Sequence, residues 1–299
     1  MSTATLVDIA VSTVLGLVMF GVGLSLTLAD FENIIRHPRA FLSALGAQMI
    51  GLPIIAFIIS LIAPLPAEVK VGFIILAASP GGATSGFLTY LWRGNVALSL
   101  SLTAVNSLLT LFSIPFVVNL GLRVFLGRST ELHLPFWETM SHIFLITIIP
   151  ATGGVLLRRY FPVFAERISK PAKYVMLVLL GIVFTIKLFA GKSSGGAGLN
   201  IHDFLMITPI ALLQNASCLL FGYFFLRWMG LPHASRLTAA MESGVQNTTL
   251  AFLIASTLLD NQEMVKPALV YSLYSFWTAC LFAYVVNRRK HGDVVTYDL

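Results

Sequence analysis

The chain has 299 residues, of which 57% are hydrophobic and only 11% are charged, and its formal net charge is +6. A soluble domain carries about 25% charged residues, so this composition excludes an ordinary soluble protein. The basic residues lie in short segments between apolar runs rather than on one basic surface, which argues against a nucleic-acid partner.

Apolar segments follow one another along the chain, each about as long as a helix needs to cross a bilayer core of about 30 Å. They are continuous and lack the period-two alternation of a membrane β-barrel. The sequence therefore predicts an all-α integral membrane protein with nine transmembrane helices, at about 7–28, 38–63, 67–92, 95–122, 135–160, 170–190, 202–228, 233–259 and 262–287.

The distribution of lysine and arginine predicts the orientation of these spans. Of the 19 basic residues, thirteen would lie on one side of the membrane, and the other side would hold Lys70, Arg123, Arg128, Lys187, Lys192 and Lys266. Cytoplasmic loops carry the excess of basic residues. We therefore expect a multi-pass plasma membrane protein (inner membrane in a bacterium) with the N-terminus outside and the C-terminus in the cytoplasm. The Gly/Ser-rich stretch Gly191–Asn200 is expected to be a flexible external loop.

Two of the segments carry helix-breaking or polar residues in mid-membrane. The third contains SPGGATSG at 79–86, and the eighth contains ESGVQNTT at 242–249. Proline and glycine disfavour a continuous helix. Broken backbone is tolerated at this depth only where it lines a cavity inside the protein. Paired interrupted helices in two halves of a chain indicate the binding site of a secondary transporter.

The positions of the breaks indicate an internal repeat. Gln48 lies in the segment before the first break, and Gln214 and Asn215 lie in the segment before the second. This correspondence pairs segments 2, 3 and 4 with 7, 8 and 9, and segment 1 with 6, while segment 5 has no partner. The pattern predicts an inverted repeat of five plus five helices that lacks the first helix.

Glu242 is the carboxylate nearest to the middle of a span. An acid inside the membrane is costly and indicates a functional site; the alternative is a protonated or paired residue that serves packing. Ser99, Thr103 and Asn106 share one helical face in the fourth segment. Such a stripe serves either helix packing or ion binding, and its place beside the broken helix favours ion binding.

Four stretches in this order resemble those of the bile acid:sodium symporter family: MFGVGLSL at 19–26, AQMIGLP at 47–53, SPGGATSGFLTYLWRGNVALS at 79–99 and ESGVQNTT at 242–249. The resemblance implies a single membrane domain over 1–299 in which two discontinuous helices cross. It also implies a panel subdomain, at about 7–28 and 135–190, that moves against a core subdomain at about 38–122 and 202–287.

The same resemblance implies two sodium sites behind the crossing. One would use Ser85, Ser99, Thr103 and Glu242, and the other would use Gln48, Glu242, Gln246 and backbone oxygens around Ser243 and Val245. Oxygen ligands suit a hard cation. No metal other than sodium and no cofactor is implied. Asn247 matches a substrate-facing asparagine of the family, and Thr248, Thr84 and Ser275 are the further substrate-binding candidates.

Three departures from the family pattern bear on these sites. The family's Ser-Asn pair is Ser85-Gly86 here, its Thr-Ala order is swapped to Ala83-Thr84, and its His-Asn pair in the last helix is Ser275-Phe276. Gly86 removes a side-chain ligand of the first sodium site, which Asn106 is a candidate to replace, with Thr84 as the weaker alternative. Alternatively, Asn106 bonds a neighbouring helix, or only the second site is kept.

The function expected from these residues is a sodium-coupled secondary active symporter of an organic anion, bile-acid-like or a smaller carboxylate or sulfonate, working by alternating access. The alternative is a proton-coupled or facilitative organic-anion carrier of similar fold. An enzyme is not expected, because the spans carry no nucleophile–base or metal constellation. The expected partners are the anion, sodium ions and the lipid bilayer, with no obligate protein partner.

Overall fold

A computed structural model describes residues 3–26, 38–82, 84–127, 132–189 and 196–294. Within these ranges the regular structure is helical, apart from one isolated bridge between Gly81 and Gln246. Five helices are long and apolar enough to cross a membrane: Pro38–Ile62, Val96–Phe125, Phe136–Tyr160, Ile201–Trp228 and Gln262–Arg288. The expected all-helical membrane architecture is confirmed, whereas the number of nine spans stays a prediction. Ala83, residues 191–195 of the expected loop and the tail after 294 lie outside the described residues.

The helices, in chain order, are α1 (Thr3–Ser25), α2 (Pro38–Ile62), α3 (Ala67–Ala78), α4 (Ser85–Leu91), α5 (Val96–Phe125), α6 (Phe136–Tyr160), α7 (Pro162–Phe189), α8 (Ile201–Trp228), α9 (His233–Gly244), α10 (Thr248–Leu258) and α11 (Gln262–Val294). Three of them include a π-helical turn: α2 at Ala47–Gly51, α6 at Phe144–Ile148 and α10 at Ile254–Leu258. Such turns add a residue to one helical turn and often occur at functional sites.

The third apolar segment is divided into α3 and α4, as the sequence predicts. The backbone at Ser79 is extended, with ψ at 147°, and the following Pro80 has no N–H with which to continue the helix. The Ser79 hydroxyl donates a 3.0 Å hydrogen bond to the Ile75 carbonyl in the last turn of α3. The chain then passes through Gly81 and Gly82 before α4 begins at Ser85.

The eighth apolar segment is divided into α9 and α10, again as predicted. Here the break is short, because α9 ends at Gly244 and α10 begins at Thr248. The side-chain oxygen of Asn247 accepts a 3.0 Å hydrogen bond from the Leu250 N–H. An N-cap of this kind satisfies a backbone donor that the first turn of a helix leaves free, and it stabilises the restart of the helix.

Two helix boundaries differ from the sequence-based prediction. The helix predicted to begin at about 170 begins at Pro162, and the last helix extends beyond 287 to Val294. Proline is favoured in the first turn of a helix, and both extensions carry charged residues of the kind that lie at the membrane–water interface. The connection between the spans predicted at 135–160 and 170–190 is therefore largely helical.

The helices pack in two groups, which contact each other where α6 meets α5 and where α1 meets α10. In the first, α1 packs against α6 and α7. Gly23 of α1 lies against the backbone of Ala151 in α6, and Gly154 of α6 lies against the backbone of Phe20 in α1. At either glycine, an added Cβ would overlap the facing backbone atoms. Small residues allow this close approach of membrane helices. In the second group, α8 packs against α9 and α11, and α3 packs against α2, α5 and α11.

Candidate functional site

The two breaks lie against each other and complete each other's backbone hydrogen bonding. The Gly82 N–H donates to the Val245 carbonyl at 2.7 Å, and the Asn247 N–H donates to the Pro80 carbonyl at 2.8 Å. Buried backbone groups without partners are costly at membrane depth. The crossing therefore stabilises both interruptions, because each satisfies a backbone donor and a backbone acceptor of the other.

The carboxylate of Glu242 lies at this crossing and is fully buried. Its Oε1 accepts hydrogen bonds from the Ser85 hydroxyl at 2.6 Å and the Ser99 hydroxyl at 2.5 Å. The Thr103 hydroxyl lies 3.3 Å from Oε1 and 3.1 Å from Oε2. The four residues predicted to form the first sodium site thus lie together, and they come from α4, α5 and α9.

Gln48 brings α2 to the same carboxylate. Its Nε2 donates to Glu242 Oε2 at 3.5 Å, and its Oε1 accepts a 2.9 Å hydrogen bond from Asn106 Nδ2. Gln48 belongs to the π-helical turn Ala47–Gly51, which alters the side-chain direction relative to a regular α-helix. The hydrogen bond of Asn106 therefore joins it to a residue of the second predicted sodium site.

Gly81 explains how the carboxylate can approach the first break so closely. A Cβ added at this position would overlap Glu242 Oε2. At Gly86, by contrast, an added Cβ would meet the Ser99 hydroxyl oxygen at 3.7 Å, which is an ordinary contact distance. Position 81 therefore has to be a glycine for the carboxylate to lie where it does, whereas position 86 has room for a side chain.

Several buried oxygen atoms around the crossing have no hydrogen-bond partner among the described residues. They are the side-chain oxygens of Ser243, Gln246 and Asn106. Ser243 and Gln246 belong to the second predicted sodium site, and the Val245 carbonyl of that site already accepts from Gly82. A carbonyl oxygen has two lone pairs, so Val245 retains one that could bind a cation.

Asn215, Tyr271 and Thr278 stabilise the second break through hydrogen bonds. Sequence reasoning assigned none of them a role in the site. The Gly244 carbonyl accepts hydrogen bonds from Asn215 Nδ2 at 2.8 Å and from the Tyr271 hydroxyl at 2.7 Å. The Thr278 hydroxyl in turn donates to Asn215 Oδ1 at 2.5 Å. The sequence signal was weak, because Tyr271 and Thr278 are two of many polar residues in a long helix.

The substrate-binding candidates lie around the breaks but outside the hydrogen-bond network of Glu242. The Asn247 side chain is buried and caps α10, so its oxygen is already used by the backbone. Thr84 and Thr248, directly before α4 and at the start of α10, are partly exposed. Ser275 is buried on α11, in the segment between Tyr271 and Thr278 that packs behind the second break.

Comparison with known proteins gives a consistent assignment. The model of the sodium bile acid symporter family matches residues 12–194. The chain is 26% identical over 288 residues to YocS of Bacillus subtilis, named an uncharacterized sodium-dependent transporter, with 96% of this chain and 86% of that protein covered. It is 25% identical over 299 residues to the ileal sodium/bile acid cotransporter of Oryctolagus cuniculus, with coverage of 96% and 83%.

A plant relative is also similar. The probable chloroplastic sodium/metabolite cotransporter BASS1 of Arabidopsis thaliana is 28% identical to the chain over 265 residues, covering 87% of this chain and 63% of that protein. The names of these relatives describe sodium-dependent transporters or sodium cotransporters, and none describes an enzyme.

Proposed function

Because this chain belongs to the sodium bile acid symporter family, we propose that it is a sodium-coupled secondary active symporter of an organic anion. The observation that carries this proposal is the convergence of α2, α4, α5 and α9 on the buried carboxylate of Glu242. Ionisable groups inside a membrane protein mark ion or proton pathways. The names of the relatives favour sodium as the coupling ion.

The first proposed sodium site consists of Ser85, Ser99, Thr103 and Glu242. A hydroxyl group rotates freely about its C–O bond and is both donor and acceptor. The three hydroxyls lie within hydrogen-bond distance of the carboxylate, and after rotation they present lone pairs to a cation. Four such oxygens, one of them charged, match the hard-ligand preference of sodium.

The second proposed site shares Glu242 and adds Gln48, Gln246 and backbone oxygens of Ser243 and Val245. The unpartnered and buried Gln246 Oε1 supports it, because a buried oxygen without a donor favours a cation as its partner. Two sodium ions carried with a monoanion would move one net positive charge. That charge is worth roughly 2.3 kcal/mol per 100 mV of membrane potential, and it would drive uptake into the cell.

Alternating access would move the group α1, α6 and α7, as a panel, against a core formed by the other helices. The close glycine packing of α1 against α6 supports a rigid panel. Nine spans in an inverted repeat, with an external N-terminus and a cytoplasmic C-terminus, complete the proposal. The charge distribution of the sequence supports this orientation.

The substrate would bind beside the crossing, at Asn247, Thr248, Thr84 and Ser275. Thr84, Asn247 and Thr248 lie at half-helix starts, where hydroxyl and amide groups suit an anionic group because helix N-termini carry partial positive charge. Ser275 adds a hydroxyl from α11. The proposed substrates are bile-acid-like anions or smaller carboxylates and sulfonates. No cofactor takes part; sodium is the coupling ion.

One observation favours a second candidate, a proton-coupled carrier with Glu242 as the proton site. The Ser85 hydroxyl lies 2.6 Å from Glu242 Oε1 and 2.7 Å from the Gly82 carbonyl, so its single hydrogen cannot serve both acceptors. A proton on Glu242 would resolve this competition: Glu242 would donate to Ser85, and Ser85 to Gly82. A sodium ion would resolve it only after the Ser85 hydroxyl and the carboxylate move apart, whereas the proton keeps their 2.6 Å contact.

Uptake into proteoliposomes distinguishes the two. Organic anions are first screened by thermal shift with and without sodium, since a ligand that binds the native state raises its stability. The radiolabelled hit is then given a sodium gradient, a potassium gradient or a proton gradient. We expect accumulation with the sodium gradient alone. Accumulation driven by the proton gradient without sodium would favour the second candidate.

A further inference from the structure

A small cavity lies behind Gln48, between α2, the end of α3 and α5. It leaves about 10 Å³ for the centre of a water molecule, which is room for a single water or a bare monovalent ion. Its polar lining comes from Gln48, Ser79, Asn106, Thr110 and Ser113. The three α5 residues are spaced four and three apart, so they share one face of that helix.

This lining offers buried oxygen atoms with free lone pairs. Asn106 Nδ2 already donates to Gln48, and its Oδ1 is buried without a partner among the residues that the structure describes. The Ser79 hydroxyl donates a 3.0 Å hydrogen bond to the Ile75 carbonyl, and the Thr110 hydroxyl donates one of the same length to the Ser107 carbonyl. Their lone pairs remain, so the cavity suits a hydrogen donor or a hard cation.

Gln48 separates this cavity from the cluster around Glu242. One end of its amide is 3.5 Å from Glu242 Oε2, and the other end is 2.9 Å from Asn106. A side-chain rotation of Gln48 would join the two spaces. The cavity lining itself contains no charged residue, and a cation without a counter-charge is costly to bury. An ion would therefore stay there only briefly.

We propose that this cavity is a transit site for sodium, which passes through it between the Glu242 cluster and the carboxyl-terminal half of α5. The inference rests on the sodium coupling proposed above and adds the route of the ion. The neutral oxygens of Ser79, Asn106 and Thr110 replace part of the hydration shell during the passage, and Gln48 is the gate.

Sodium-jump currents test the route. Proteoliposomes on a solid-supported membrane receive a sodium step without organic anion, and the relaxation rate and the half-saturating sodium concentration are measured. Thr110→Val and Ser79→Ala each remove one lining oxygen and no partner of Glu242. Each is expected to slow relaxation about tenfold, which corresponds to roughly 1.4 kcal/mol of barrier, without changing half-saturation.

Thr208→Val on α8 is the matched control, because its hydroxyl makes the same kind of intrahelical bond, at 2.6 Å to Phe204. It should relax like the wild type. Unchanged relaxation rates in both cavity variants would overturn the route, and the cavity would then be assigned to a structural water molecule. A change in half-saturation at unchanged rate would also overturn it, because the cavity would then belong to the equilibrium site. No sodium response in the wild type would overturn the proposed function as well.

Discussion

At the scale of single residues, the fit between Gly81 and Glu242 is the tightest constraint at the crossing. We predict that Gly81→Ala weakens sodium binding by at least about tenfold, because the new methyl group would overlap Glu242 Oε2 and displace the carboxylate by more than binding geometry tolerates. Sodium affinity is measured by isothermal titration calorimetry of the purified protein.

Gly86→Ala is the control for this prediction, because it adds the same methyl group to the same discontinuous segment where there is space for it. It should bind sodium as the wild type does. Equal losses in both variants would mean that the effect comes from backbone rigidity in the break and not from the carboxylate.

Asn106 provides a second prediction at this scale. Asn106→Ala removes the hydrogen bond to Gln48, so sodium affinity should fall or the Hill coefficient of sodium-dependent binding should decrease. Asn119→Ala removes an amide from the same helix, where it holds the backbone of Leu134 at 2.8 and 2.9 Å. A loss common to both variants would reflect stability alone, and no loss in Asn106→Ala would exclude a role for it in ion binding.

Most of the residues around Glu242 were predicted from the sequence, but the residues that stabilise the second break were not. Glu242 was evident because an acid in an apolar run is costly, and Ser99 and Thr103 followed from their helical spacing. The meeting of Ser85 with Glu242, 157 positions apart in the chain, came only from the family resemblance. Tyr271 could not be predicted, because its partner is a backbone carbonyl that becomes free only when the helix ends at Gly244.

At the scale of helices, both interruptions were predictable and the π-helical turns were not. Proline and glycine mark the first break directly, and a polar run marks the second. The turn Ala47–Gly51 has no comparable signal, since its residues are compatible with a regular α-helix. The early start of α7 at Pro162 was missed because hydropathy detects the part of a helix within the bilayer and not the turns outside it.

The orientation of the helices can be tested by labelling single cysteines from outside intact cells. The background is Cys280→Ala, because the remaining Cys218 is fully buried. We expect an impermeant maleimide to label Ser193→Cys, in the stretch predicted to be external, and not the exposed Glu166→Cys at the start of α7. The reverse labelling pattern would contradict the predicted orientation.

At the scale of the whole molecule, the position of Glu242 relative to the proposed panel bears on how access to the crossing would change. Among the residues that the structure describes, the hydrogen-bond partners of the Glu242 carboxylate come from helices outside the group α1, α6 and α7. A movement of that group could therefore change access to the crossing without breaking the hydrogen bonds of the carboxylate. The sequence indicated this division only through the family resemblance, because the contacts between helices cannot be read from hydropathy.

The central claim is that Glu242 binds the coupling sodium, and sodium-dependent thermal unfolding of wild type and Glu242→Gln tests it most directly. Potassium replaces sodium at constant ionic strength. A bound ion at 100 times its Kd stabilises the native state by about 2.7 kcal/mol, so the wild-type Tm should rise with sodium and not with potassium. Glu242→Gln should remain folded and show no sodium-dependent rise. An equal rise in the variant would contradict the account.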